Sequence, residues 1–333
     1  MGLEGSWGRG ICGLSLLHIR CLILTKSQHR GKYASAIEAY QVALRTEPDD
    51  ALSWLRLGEA YGKAGRHVAA IKALQHAQEL QPDNWMCAYF IGDVKYGMGN
   101  YNEAISAFES ILDIRPSETG VLVSLCRAHL ANGETEFSAG FHMRAEHSLV
   151  ECILVGLRAI QQSHGFRGLI WKTVADALYT LSSRSIFDCD NICHILQKVS
   201  ALLPTDLEHL PFTQRSSFQN GTELTQTHVL ELAAAAYSYR ISLETSTKGG
   251  SQWFDLGICL LSWVVKSANH ETAHETSGKA IACLTRALQD DPGNDMYWVG
   301  LGHAHFLSNA KASQHAYIKA LEINSKVLYQ ALN

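Results

Sequence analysis

The pentapeptide His270-Glu271-Thr272-Ala273-His274 has the residue types and spacing for metal chemistry. Two histidines one helical turn apart can hold Zn²⁺ on one face, and the glutamate between them can take a proton from metal-bound water. The flanking residues are Ser, Asn, Glu and Thr, with none of the apolar side chains that bury such a helix. Ser277 stands where the extended form of the motif needs glycine, and no third ligand is nominated. The stretch therefore reads as a solvated polar loop, with a zinc peptidase through His270, Glu271 and His274 as a remote alternative. Cys189, Cys193 and His194 in DCDNICH lack the second ligand pair of a zinc site, and the cysteines read as core residues. No phosphate-binding loop, nucleophile elbow or dinucleotide glycine fingerprint occurs. The expectation is a protein without catalytic residues, metal, cofactor or small-molecule ligand.

Composition points the same way. Of 333 residues, 47% are hydrophobic, 18% are charged and only six are proline, as in a chain of packed helices. A formal charge of −4 gives no overall pull toward nucleic acid or an anionic membrane. The nine cysteines are scattered and odd in number, which argues for thiols in a reducing compartment rather than a disulfide framework. The apolar run over residues 11–24, broken by His18 and Arg20, is too short to span a bilayer. Residues 1–30 read as an atypical segment that stands in for a missing helix.

The elements that would position any site come from a repeat. Pro48, Pro82 and Pro116 are 34 residues apart, and other positions fall into the same register. Trp54, Leu57, Gly58, Tyr61, Ala70, Leu74 and Ala77 precede Pro82. One period on stand Ala88, Ile91, Gly92, Ala104, Phe108 and Ile111, and one period back stand Ala36, Tyr40 and Ala43. Trp54, Leu57 and Tyr61 share one helical face, and Ala70, Leu74 and Ala77 share another. The two helices would be antiparallel and closest at Gly58 and Ala70, with a glycine turn at 63–66 and a proline stop. This is the tetratricopeptide (TPR) pattern. It implies an all-α solenoid of helical hairpins, a right-handed superhelix, with a degenerate middle.

Regular units span 31–118, and the pattern returns over 246–326 with Trp253, Gly257, Ala280, Leu284, Pro292, Trp298 and Gly302. Residues 267–277 read as an irregular insertion there, and 327–333 as a truncated tail. Residues 119–245 read as degenerate: the second helix of the unit opened by Leu122 and Leu125 runs late, after an insertion. An exposed loop is expected near 204–226, and Val229 to Leu243 resumes as an alanine-rich helix.

Three stretches are more specific. GKYASAIEAYQVALRTEPDDALSWLRLGEAYGKAGRHVAAIKAL, GFHMRAEHSLVECILVGLRAIQQSHGFRGLIWK and ELAAAAYSYRISLE resemble the tetratricopeptide subunit of the metazoan superkiller complex, over about residues 31–326. The resemblance implies a non-catalytic scaffold. Its partners would be an RNA helicase and WD-repeat subunits and, indirectly, the RNA exosome of cytoplasmic 3′-to-5′ mRNA decay, with the nucleus as a second compartment. A TPR adaptor of another assembly, in trafficking or in a ubiquitin ligase, is the alternative. The face of the first helices is the expected docking strip: Leu55, Glu59, Tyr89, Asp93 and Tyr96, apolar and acidic, suited to an apolar or basic peptide. TPR domains that grip chaperone carboxylates need Lys and Asn on that face, which argues against such a partner.

Overall fold

Proline and Asx residues divide this chain into helices by the same local device several times. In a computed structural model the described residues are 33–162, 165–184, 189–204, 224–243, 249–267, 270–306 and 308–331. They contain 14 helices and no strand, and the chain divides into two compact units, Met1–Ala128 and His129–Asn333. None of these helices is long and apolar enough to cross a membrane. The expected N-terminal segment (1–30) and most of the expected loop (205–223) lie outside the described residues.

The first unit holds α1 (Tyr33–Thr46), α2 (Ala51–Lys63), α3 (His67–Leu80), α4 (Trp85–Gly97), α5 (Tyr101–Ile114) and the opening turns of α6 (Thr119–Ser138). Two residues after Pro48, Asp50 caps α2 by accepting from the Leu52 N–H at 3.1 Å. Two residues after Pro82, Asn84 does the same for α4 through Met86, also at 3.1 Å. Such a cap stabilises a helix by about 1 kcal/mol. Gly65 and Gly99 end the first helices at φ 73° and 82°, a conformation that favours glycine.

The hairpins close on a glycine. A Cβ on Gly58 would lie 2.5 Å from Leu74 Cγ, and one on Gly92 would lie 2.7 Å from the Phe108 ring. The missing side chain on the first helix is thus filled by a large one on the second. Leu74 and Phe108 are fully buried, each contributing roughly 1.5–3 kcal/mol.

The second unit continues α6 and adds α7 (His142–Gln162), α8 (Arg167–Leu181), α9 (Cys189–Leu202) and α10 (Gln226–Leu243). It ends with α11 (Gly250–Lys266), α12 (His270–Asp290), α13 (Asp295–His305) and α14 (Ala310–Ala331). The glycine contact recurs at Gly133–Leu149, Gly257–Leu284 and Gly302–Tyr317, with built Cβ distances of 2.8, 2.7 and 2.7 Å.

Three sequence expectations change here. Gly133 follows Gly92 by 41 residues, Leu149 follows Phe108 by 41, and the turn glycine Gly140 follows Gly99 by 41. The insertion expected ahead of the second helix therefore lies inside the first. Seven residues, two helical turns, have been added before the glycine, so the buried face is conserved. In the α11/α12 hairpin the expected irregular insertion at 267–277 is mostly helix. Compared with α2/α3, α11 runs four residues further past its glycine, and α12 starts seven residues earlier before its leucine. Those are whole turns again. Finally, α14 continues to Ala331, through most of the stretch expected to be a tail.

The degenerate middle has its own topology. Helix α8 packs on α7 and on α10, while α9 packs on α7 and α10. The hairpin pair is thus α8/α10, and α9 belongs to the connection between them. Eleven of the 18 residues of α10 are buried, more than one stripe can supply, because α8, α9 and α11 all press on it.

Candidate docking surface

The expected strip is only partly a surface. Leu55 is 1% exposed, packed with Ala70, Leu74, Ala77, Cys87 and Val94, and cannot meet a partner. The sequence reading gave α2 one buried face; α2 packs on α1, α3 and α4, so its buried arc is wider and includes Leu55. Glu59 is engaged with Arg56 at 2.9 Å. The Tyr89 hydroxyl meets the Ser124 hydroxyl at 3.0 Å, and its ring leans on Phe108 at 5.7 Å. Tyr96 is covered by the Arg127 guanidinium, 5.2 Å from the ring centroid, and Asp93 is half-buried beside it on α4. Of the five residues, Tyr89, Asp93 and Tyr96 share one helix, and both tyrosines already have partners within the chain.

The metal-type motifs separate. Residues 270–274 open α12 rather than forming a loop, and His274 is exposed; the side chains of His270 and Glu271 lie outside the described residues. On α9, Cys193 is buried and His194 exposed, so their side chains diverge. Among the described residues no group of three or more His, Cys, Asp or Glu is placed to hold a metal ion.

An open cleft of about 650 Å³ lies between α1 and α3, over α2. Its floor is Trp54, Leu57 and Tyr61, the residues that sequence periodicity assigned to packing between helices. Each polar tip on this floor is held. The Trp54 indole N–H donates to the Pro48 carbonyl at 2.7 Å, and the Gln41 amide donates to the Tyr61 hydroxyl at 2.7 Å. His76 stands edge-on to Trp54, with ring centroids 4.7 Å apart. The α3 wall uses small residues, Ala69 and Ala73, which leave the aromatic faces uncovered. Arg45 on α1 and Lys72 on α3 stand at the edges, both exposed. Among the described residues neither meets a carboxylate within ion-pair distance.

The same place one repeat later is lined differently. Thirty-four residues on, Trp54 becomes Ala88, Tyr61 becomes Lys95 and Ala69 becomes Glu103. Lys95 and Glu103 form an ion pair of 3.1 Å across that position. The cleft floor is thus the repeat pattern's own Trp, Leu and Tyr, and it is the next repeat that departs from the pattern.

Comparison with known proteins bears on the fold. The family model of subunit 3 of the anaphase-promoting complex, or cyclosome, matches residues 29–111. A tetratricopeptide repeat protein from Parabacteroides merdae is similar in structure, with TM-score 0.51 at 12% identity, covering 94% of this chain and 96% of that one. TTC0263, a TPR protein of Thermus thermophilus, has TM-score 0.41 at 14% identity over 77% of this chain and 99% of its own. YrrB, described as a TPR protein with an unusual peptide-binding site, has TM-score 0.33 at 14% identity, covering 86% of this chain and 93% of its own. No curated protein matches the sequence. The chain is a TPR-type repeat protein, a fold that typically serves as a non-catalytic scaffold for protein partners.

Proposed function

We propose that this chain is a docking scaffold of a superkiller-type assembly, holding an RNA helicase and WD-repeat subunits that deliver mRNA to the exosome in the cytoplasm. The observation that supports a docking role is the Trp54 cleft, an aromatic floor fixed by internal hydrogen bonds and left open between two helices. Preorganised aromatic anchors with an open face are what protein interfaces use at their centres. The choice of assembly is supported by the three sequence stretches, which cover both units. The test is co-purification: the tagged chain is expressed in cells and probed for the helicase and WD-repeat subunits. Their co-elution is expected, and their absence at normal expression defeats this choice of assembly.

A second reading is an adaptor in a ubiquitin ligase, favoured by the family-model match across α1–α5. The same eluate separates the two, because ligase subunits would replace the helicase.

A further inference from the structure

Within the docking role proposed above, we infer that the Trp54 cleft takes an acidic amphipathic segment of a partner, its apolar side on Trp54, Leu57 and Tyr61 and its carboxylates on Arg45 and Lys72. The cleft has two features that select an occupant. Its floor is aromatic and apolar, and its two edges each carry a cation with no carboxylate partner among the described residues. Glu79, two turns past Lys72, is exposed and turned to His76 at 3.2 Å, and of the acids that follow Arg45 (Glu47, Asp49 and Asp50) Asp50 is engaged as the α2 cap. An apolar floor between two positive edges fits an amphipathic segment with acidic flanks.

The next groove serves as an internal reference. One period on, Arg45 is replaced by Glu79 and Lys72 by Ser106, while Lys95 and Glu103 bridge the opening. The aromatic floor and the two edge cations occur together in the first groove, and the corresponding positions of the second carry neither. Charge also argues against self-occupancy by the preceding residues. Residues 18–32 carry Arg20, Lys26, Arg30 and Lys32 and no acidic residue, so their approach would place like charges on Arg45 and Lys72.

The test uses the full chain and fluorescence anisotropy with two labelled helical peptides. They share leucines at i, i+3, i+4 and i+7; one has glutamates and the other lysines on its flanks. The glutamate peptide is expected to bind at least about tenfold more tightly, with affinity falling as salt rises. Charge reversal by Arg45→Glu with Lys72→Glu, both exposed, is expected to invert that preference, with helicity checked alongside. A second variant, Tyr61→Lys with Ala69→Glu, writes the neighbouring ion pair into this groove; it should abolish binding while helicity stays unchanged. Equal binding of both peptides, or retained binding in both variants, overturns the inference. So does binding that appears only after residues 1–30 are removed, which would make that segment the occupant, or self-association of the chain that the charge reversal abolishes. Loss of the peptide result with the helicase and WD-repeat subunits still co-eluting removes only this inference. Peptide binding without those subunits removes only the superkiller reading.

Discussion

In α2 a glycine at position 58 lets Leu74 of α3 lie against the backbone, whereas in α8 the corresponding position is Ala175. The partner of α8 is α10, which carries the alanine run 233–236, all buried. The first unit places the small residue on the first helix and the large one on the second. The α8/α10 pair has small residues on both helices and large ones meeting beside them, with Trp171 of α8 edge-on to Tyr239 of α10 at 5.4 Å. Close approach of two helices needs a small residue at the crossing but does not dictate which helix supplies it.

The polar groups differ as well. Between the first helices of the second unit, Tyr179 meets Ser262 at 3.0 Å and the Lys266 ammonium donates to the Ser182 carbonyl at 2.8 Å. Beside them, Asp176 pairs with Lys172 at 2.7 Å and accepts from Tyr237 at 2.6 Å, and Arg240 pairs with Asp255 at 2.8 Å. The cations there are engaged, whereas Arg45 and Lys72 in the first unit are not.

The comparison breaks most readily at the glycine. Gly58→Leu is expected to cost about 3 kcal/mol in urea unfolding, since Leu74 and the Ala70 carbonyl leave no room. Ala175→Leu should cost a similar amount if α8 and α10 approach as closely, and much less if they do not. The next largest effect is acid sensitivity confined to the second unit. Burial, with nearby His147, lowers the His129 pKa to about 4. An unfolded chain binds that proton near pH 6.5, so the stabilisation is complete above 6.5 and is lost as pH falls toward 4, by up to roughly 3 kcal/mol. Asp255, raised chiefly by burial, acts in the opposite sense at the acid end. A His129→Asn variant compared with the parent across pH 4–7 isolates the histidine: its stability should vary less with pH. Tyr237→Phe removes a hydrogen bond to the Asp176 carboxylate and should cost about 2 kcal/mol by the same unfolding measurement. Smallest is Glu103→Ala, which deletes an exposed partner of Lys95 and should change stability by less than about 1 kcal/mol. The same variant sharpens the comparison by opening the second groove without giving it an aromatic floor; it should not gain acidic-peptide binding.

Much of the fold was legible in the residues. Prolines 34 apart, Asx caps two positions later and a glycine at the crossing of the regular hairpins are local signals, and each worked through a local cause. The insertions were not legible as helix. The polar residues 270–277 have no apolar stripe of their own, yet they open a helix whose buried face is set further along at Ala280 and Leu284. Leu55 shows the same limit, since a third neighbour widened the buried arc beyond the stripe that periodicity marks.

By itself the sequence determined that this chain is a stack of helical hairpins, because period, caps and glycine crossings are properties of neighbouring residues. Only the tertiary structure decided that α8 pairs with α10 across α9, that added residues enter as whole turns, and that Trp54 lies on the floor of an open cleft. Those outcomes depend on which helices meet, and on whether a residue 15 or more positions away is alanine or a charged side chain. No local window of sequence contains that information.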